Sequence, residues 1–106
     1  MAVDLKEGMA LYVRIDDKAG GKDETEQDAL DSMNYLQQIA KERFLLAGIF
    51  GDPETGCADG AMILFAARDL EEAKKIACGD PIIERGFYRC EIRRWNVMLQ
   101  SDKINP

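Results

Sequence analysis

The sequence predicts an α+β fold of β-α-β-β-α-β order, a split βαβ arrangement in which two helices cover one face of a four-stranded antiparallel sheet. Three observations predict it. The chain has 106 residues, enough for one core of modest size and too few for two. Stretches with the two-residue apolar period of a strand and the 3.6-residue period of a helix follow one another in that order. Two of the four strand stretches are apolar on both parities, which a sheet covered on a single face would not need.

Strand one is "ALYVRI", Ala10 to Ile15, where Leu11, Val13 and Ile15 alternate with Tyr12 and Arg14. The polar, glycine-rich "DDKAGGKDETEQ" is a loop, and Asp23 stands at capping-box distance from Glu26. A helix is therefore expected from near Glu24 to about Glu42. Ala29, Met33, Leu36 and Ala40, widened by Leu30 and Ile39, form its inward stripe, with Asp28, Asp31 and Gln38 facing water. "FLLAGIF" and "AMILFAA" are strands two and three, separated by the ten-residue loop "GDPETGCADG", a candidate lid.

Asp69 and Glu72 are spaced as a second capping box, and Leu70, Ala73, Ile76 and Ala77 are the buried stripe of the helix that follows. Gly79 ends that helix. In "GDPIIERG" Asp80 reads as the N-cap and Pro81 as the first residue of a short helical turn, which Gly86 closes. The last strand, "FYRCEIRRW", sets Tyr88, Cys90 and Ile92 against Arg89, Glu91 and Arg93, and "NVML" is expected to extend it. With helices on one face only, the second apolar face calls for a partner, so a homodimer through the sheet is expected.

A formal net charge of −6 opposes binding to nucleic acid, whose recognition rests on basic residues. RNA recognition on a βαββαβ plan also lacks its basic-aromatic strand signature here. Cys57, Cys78 and Cys90 form no CxxC spacing, and "MAVDLKEG" has neither a basic start nor an apolar run, which points to a cytoplasmic protein with free thiols. Nothing approaches the ~20 apolar residues of a membrane-spanning helix. There is no histidine, so imidazole-based mechanisms and most zinc sites are excluded. Carboxylates, thiols, tyrosines and lysines remain as proton carriers, and no cofactor or metal is expected.

Four stretches carry a family likeness. "FLLAGIFGD", "GAMILF", "DLEEAKKIACGDPIIERGFY" and "EIRRWNV", in that order, resemble the YciI-like (YCII-related) family, with its "LLAGP" strand, "EEA…DP…G" helix pair and "I-R-P-W-N-V" ending. The match is strongest from about Tyr35 to Val97 and implies one domain with a core of about residues 9–99. It further implies a ferredoxin-like dimeric α/β barrel, small-molecule chemistry, and a histidine on the first helix paired with the aspartate of "DP". Asp80 matches that aspartate. The histidine position lands on Ser32, or on Asp31 if a one-residue gap falls near Arg43; helical periodicity favours Ser32. Ile49 and Arg94 replace prolines of the family pattern.

Two roles for Asp80 follow: a helix cap alone, or a cap that is also a base at the mouth of a pocket. Ser32, Tyr12, Tyr35 or a cysteine are its available companions. Arg14 and Arg93, with Arg89, are candidates to dock a carboxylate or phenolate, against the alternative of a solvated strand face. Cys57 reads as an exposed loop thiol, Cys78 and Cys90 as small core residues, and Phe87 and Trp95 as packing or dimer contacts. The expected function is a small homodimer with a pocket between the first helix, the sheet and the "DP" turn. That pocket would take an anionic or aromatic small molecule, with proton transfer or elimination and Asp80 as base. The alternative is a catalytically silent binding or assembly module.

Overall fold

The alternation in strand one leaves open which of its faces meets the helices, and the computed structural model, which describes residues 5–52 and 54–103, shows the outcome. The elements are β1 (Ala10–Lys18), α1 (Glu26–Glu42), β2 (Leu45–Asp52), β3 (Cys57–Ala67), α2 (Leu70–Cys78), α3 (Pro81–Glu84) and β4 (Tyr88–Arg94). The four strands are antiparallel in the order β2-β3-β1-β4. Tyr12, Ile63, Phe65 and Ala67 pack under Ala73 of α2, with Leu36 of α1 and Ile76 of α2 at the edge. On the opposite face Leu11, Val13 and Leu64 gather Leu5, Ile15, Phe44 and Val97.

Helix α1 is capped two residues later than its spacing suggests. Thr25 is the N-cap: its hydroxyl accepts from Asp28 N (3.1 Å), and Asp28 Oδ2 accepts in return from Thr25 N (2.8 Å), a reciprocal box. Asp23 does not cap; it pairs with Lys18 in the loop before. The apolar stripe also differs from expectation. Ser32 is the buried residue of α1, whereas Leu30, Met33 and the alanines Ala29 and Ala40 are exposed. Ala29 and Met33 face a cavity rather than packed core, and Leu36 borders both. Asp28 and Asp31, expected in water, both accept from Arg85 Nη1, at 2.7 and 2.8 Å, which ties α1 to the end of α3.

Most of the expected ten-residue loop is drawn into the paired strands. Pairing runs to Asp52↔Cys57, with a bulge between Phe50 and Gly51, so β2 and β3 form a hairpin that leaves no more than a short connection between those two residues. Asp52 shapes the turn by accepting from Glu54 N through Oδ1. The side chain of Cys57 lies outside the described residues. At α2, Asp69 Oδ1 accepts from Glu72 N (2.8 Å), but Glu72 Oε1 takes Arg68 N and Arg43 Nη1 instead of closing the box. Ala73 and Ala77 are buried as expected, while Leu70 is exposed at the first helical position and Cys78 at the last. Strand β4 alternates as expected but stops at Arg94. Beyond it Trp95 N donates to Leu11 O (3.0 Å), and Met98 and Leu99 stand free rather than prolonging the strand. No helix among the described residues is long and apolar enough to cross a membrane.

Candidate functional site

Residues two apart on a strand share a face, so β1 presents Tyr12, Arg14 and Asp16 together to the helices. Across the cavity floor the α2–α3 junction presents Asp80. Its placement depends on Gly79, where a Cβ would lie 2.5 Å from Tyr35 Oη. That hydroxyl donates to Ile76 O (2.6 Å), locking α1 onto the end of α2. Only glycine allows the chain to pass so close. Asp80 then serves as N-cap of α3, its Oδ1 accepting from Ile82 N (3.1 Å).

The cap is half of what Asp80 does. Its Oδ2 accepts from Arg14 Nη1 (2.9 Å), while Arg14 Nε and Nη2 form a two-point bond to Asp16 Oδ1 and Oδ2, each 2.7 Å. All three residues are buried, at 0 % (Asp80), 2 % (Arg14) and 3 % (Asp16) exposure. Burial opposes the charge on Arg14, but the hydrogen bonds and charges of Asp16 and Asp80 outweigh it and hold the guanidinium above its ordinary pKa. One cation shared by two acids leaves Asp16 undercompensated. Burial pushes its carboxyl above the ordinary value despite the bond to Arg14, and the neighbouring Asp80 charge adds to the rise.

Above this charged floor lies a cavity of about 250 Å³. Its walls are apolar, from Met33 and Leu36 of α1, Ala47 and Ile49 of β2, and Ile63 of β3; its polar atoms come from Arg14, Asp16, Asp80, Ser32, Glu24 and Tyr88. Tyr88 Oη donates to Glu24 Oε1 (3.0 Å), and burial together with that bond pushes the phenol above its usual pKa. Two residues along β4 on the same face stands Cys90, whose neighbour across the ladder is Asp16; burial raises its thiol as well, so it is poor in thiolate.

Of the residues singled out by sequence, Asp80, Ser32 and Arg14 share this cavity. Asp31 does not, since it is held by Arg85, so of the two α1 positions Ser32 is the one on the cavity. Tyr12 is buried one step along β1 within the core cluster and does not line the cavity. Arg93 does not converge with Arg14. Arg14 is opposite Ile92 in the ladder and Arg93 opposite Val13, so Arg93 projects from the other face and is exposed; Arg89, opposite Asp17, does likewise. Nor is Arg14 a solvated strand residue. Asp16, Glu24 and Tyr88 were not singled out. Asp16 had a signal, a carboxylate two residues beyond an arginine on one strand face; Glu24, in a polar loop, had none.

The sheet order and βαββαβ connectivity define a ferredoxin-like α+β fold with a buried Asp–Arg–Asp group beneath a cavity. Residues 9–96 match the YCII-related domain, and the chain belongs to that family. Among solved structures it is similar to 5-chloro-2-hydroxyhydroquinone dehydrochlorinase from Burkholderia phenoliruptrix, in complex with 2,5-dihydroxybenzoquinone: TM-score 0.54 and 17% identity over 90% of this chain and 99% of that one. A dimeric protein of unknown function with a ferredoxin-like fold from Bacteroides fragilis aligns with TM-score 0.43 and 17% identity, over 84% of this chain and 98% of that one. At such identity the likeness concerns the fold. No curated protein matches the chain.

Proposed function

We propose that the chain binds a small, uncharged, hydroxylated aromatic molecule in the cavity between α1, the sheet and the Asp80 turn. The observation that carries this reading is the make-up of that cavity: apolar walls closing on a buried floor where one guanidinium is shared by two carboxylates. With Glu24 on the wall three carboxyl groups stand beside one guanidinium, so the polar end favours a ligand that donates hydrogen bonds and opposes an anion. At an effective dielectric constant near 20, a like charge about 4 Å away costs roughly 4 kcal/mol. Aromatic is therefore chosen over anionic. The neighbouring fold solved with 2,5-dihydroxybenzoquinone supports a ligand of this shape.

Within this reading Asp80 is the base and Arg14 steadies the charge it exchanges, while the Ser32 hydroxyl takes the place that the family likeness gives to histidine and orients the ligand. A hydroxyl does not replace imidazole as a proton carrier near neutral pH. A silent binding module is the second reading, favoured because both oxygens of Asp80 are already engaged, by Arg14 and by Ile82 N. We also propose a homodimer in which a second copy covers the outer sheet face, where Leu46 is 64 % exposed beside the Leu11, Val13 and Leu64 cluster.

Titrating the ¹⁵N-labelled protein with resorcinol and with benzoate tests the binding reading. Resorcinol is expected to shift amides of β1, α1 and the Asp80 turn while benzoate leaves them in place; the reverse preference would overturn it. Incubation with chlorinated phenols separates the two chemical readings. Loss of turnover in Asp80→Asn, with gain in Ser32→His, supports the base; a wild type as inert as Asp80→Asn leaves the binding module.

A further inference from the structure

The strand ladder shows how the cavity is oriented. Ala47 of β2 lies opposite Ile63 of β3, which lies opposite Arg14 of β1, and Ile49, Ala61 and Asp16 form a second such row. Two strand spacings, about 10 Å, separate the ends of each row. The β1 end is the charged group, with Arg14 only 2 % exposed, whereas Ile49 at the β2 end is 62 % exposed although it lines the cavity. Helix α1 packs on β2, and its Met33, also on the cavity, is 54 % exposed. To the lining, β2 and β3 contribute only glycine, alanine and isoleucine. The cavity thus crosses the sheet from a charged floor to an apolar mouth edged by Ile49 and Met33.

A single ring does not fill this space. A dry apolar cavity of about 150 Å³ accepts benzene, so a cavity of about 250 Å³ leaves roughly 100 Å³ over, the room of about three groups at ~30 Å³ each. Length agrees, since a phenol whose hydroxyl meets the floor spans roughly half of the ~10 Å row. We propose that the ligand carries an apolar arm of about three carbons para to its hydroxyl, received at the mouth by Met33 and Ile49 as specificity-determining residues. This rests on the reading that the cavity takes an uncharged hydroxylated aromatic, and it narrows that class. The unbranched thioether of Met33 adapts to the shape of the arm.

Dissociation constants of phenol, 4-propylphenol and 2-propylphenol, from NMR titration of the ¹⁵N-labelled full chain, test the arm. Each buried methylene is worth about fourfold, and with part of the arm at the mouth 4-propylphenol should bind at least about tenfold more tightly than phenol. The arm of 2-propylphenol has the same apolar area but leaves the ring beside the anchored hydroxyl, so its gain should stay below about threefold. Intermolecular NOEs should join the terminal methyl of 4-propylphenol to Ile49 and Met33. Met33→Gln combined with Ile49→Thr keeps a helix former and a strand former in place, and should cut the advantage of 4-propylphenol over phenol to about threefold or less while the melting temperature holds. No binding by any of the three, or shifts confined to residues outside β1, α1 and the Asp80 turn, sinks the cavity reading and this inference with it. Phenol bound in the cavity with equal affinity for 4-propylphenol, a gain shared by 2-propylphenol, NOEs that miss Ile49 and Met33, or an advantage untouched by the double substitution overturns the arm alone.

Discussion

Replacing Asp80 with asparagine separates a helix cap from an ion-pair partner. Were Asp80 only a cap, asparagine would keep a capping oxygen and cost a few tenths of a kcal/mol, with alanine costing ~1. The structure sets a larger value. Asparagine keeps its oxygen on Ile82 N and then turns its NH₂ toward Arg14 Nη1, two donors facing each other where a 2.9 Å charge-assisted bond stood. Losing that bond in a fully buried site costs about 1.5–3 kcal/mol. The arginine keeps its two-point bond to Asp16, so the loss stays below the roughly 3–5 kcal/mol of a buried charge left alone. Alanine forfeits the cap as well, for a total of about 2.5–4 kcal/mol. Urea denaturation at neutral pH and fixed protein concentration measures both, and repeating it in an Arg14→Met background isolates the pair: there the asparagine change should cost under about 1 kcal/mol. A cost for Asp80→Asn of half a kcal/mol or less in the wild-type background would refute the ion-pair argument and leave a cap.

Gly79→Ala is expected to cost about 1–3 kcal/mol, because its Cβ meets Tyr35 Oη at 2.5 Å, and thermal denaturation should show part of that loss recovered when Tyr35→Phe removes the hydroxyl. Sedimentation velocity should show a dimer that Leu46→Glu, on the exposed outer face, converts to monomer; a monomeric wild type at micromolar concentration refutes the covered face. For Asp16, burial raises the folded carboxyl above its ordinary 3.8, so the folded state holds that proton more tightly than the unfolded chain. The stabilisation from that proton is complete below 3.8 and lost as pH climbs through the raised value. The stability of wild type relative to Asp16→Asn should therefore fall across that window in urea titrations; a difference that grows with pH would show Arg14 dominating.

What the sequence made legible was what local period encodes. The alternation of Leu11, Val13 and Ile15 with Tyr12 and Arg14, and of Tyr88, Cys90 and Ile92 with Arg89, Glu91 and Arg93, is realised strand by strand. Which face meets the helices is not written in either strand. Both faces of β1 are buried, so Arg14 reads as a solvated residue until α2 and Asp80 are seen above it. Register is likewise a property of two strands at once. Arg93 and Arg14 look like neighbours until the pairing of Arg14 with Ile92 puts them on opposite faces. The stripe of α1 was legible as apolar, but a sequence does not distinguish a stripe that meets core from one that meets a cavity. Asp80 was legible as a cap because capping is local; its bond to a residue 66 positions away was not.

Strand β1 is zipped along both edges, to β3 on one side and β4 on the other. Arg14 and Asp16 therefore ride on the part of the molecule with the least freedom, where amide exchange should be slowest. Their counterpart wall, α1, is moored to α3 through Arg85 and its two aspartates, contacts that salt loosens. Recognition is thus divided between an anvil and a latch. Changes that alter which charges are tolerated belong on the strand, changes that alter how bulky a guest is admitted belong on the helix, and the two can be varied separately.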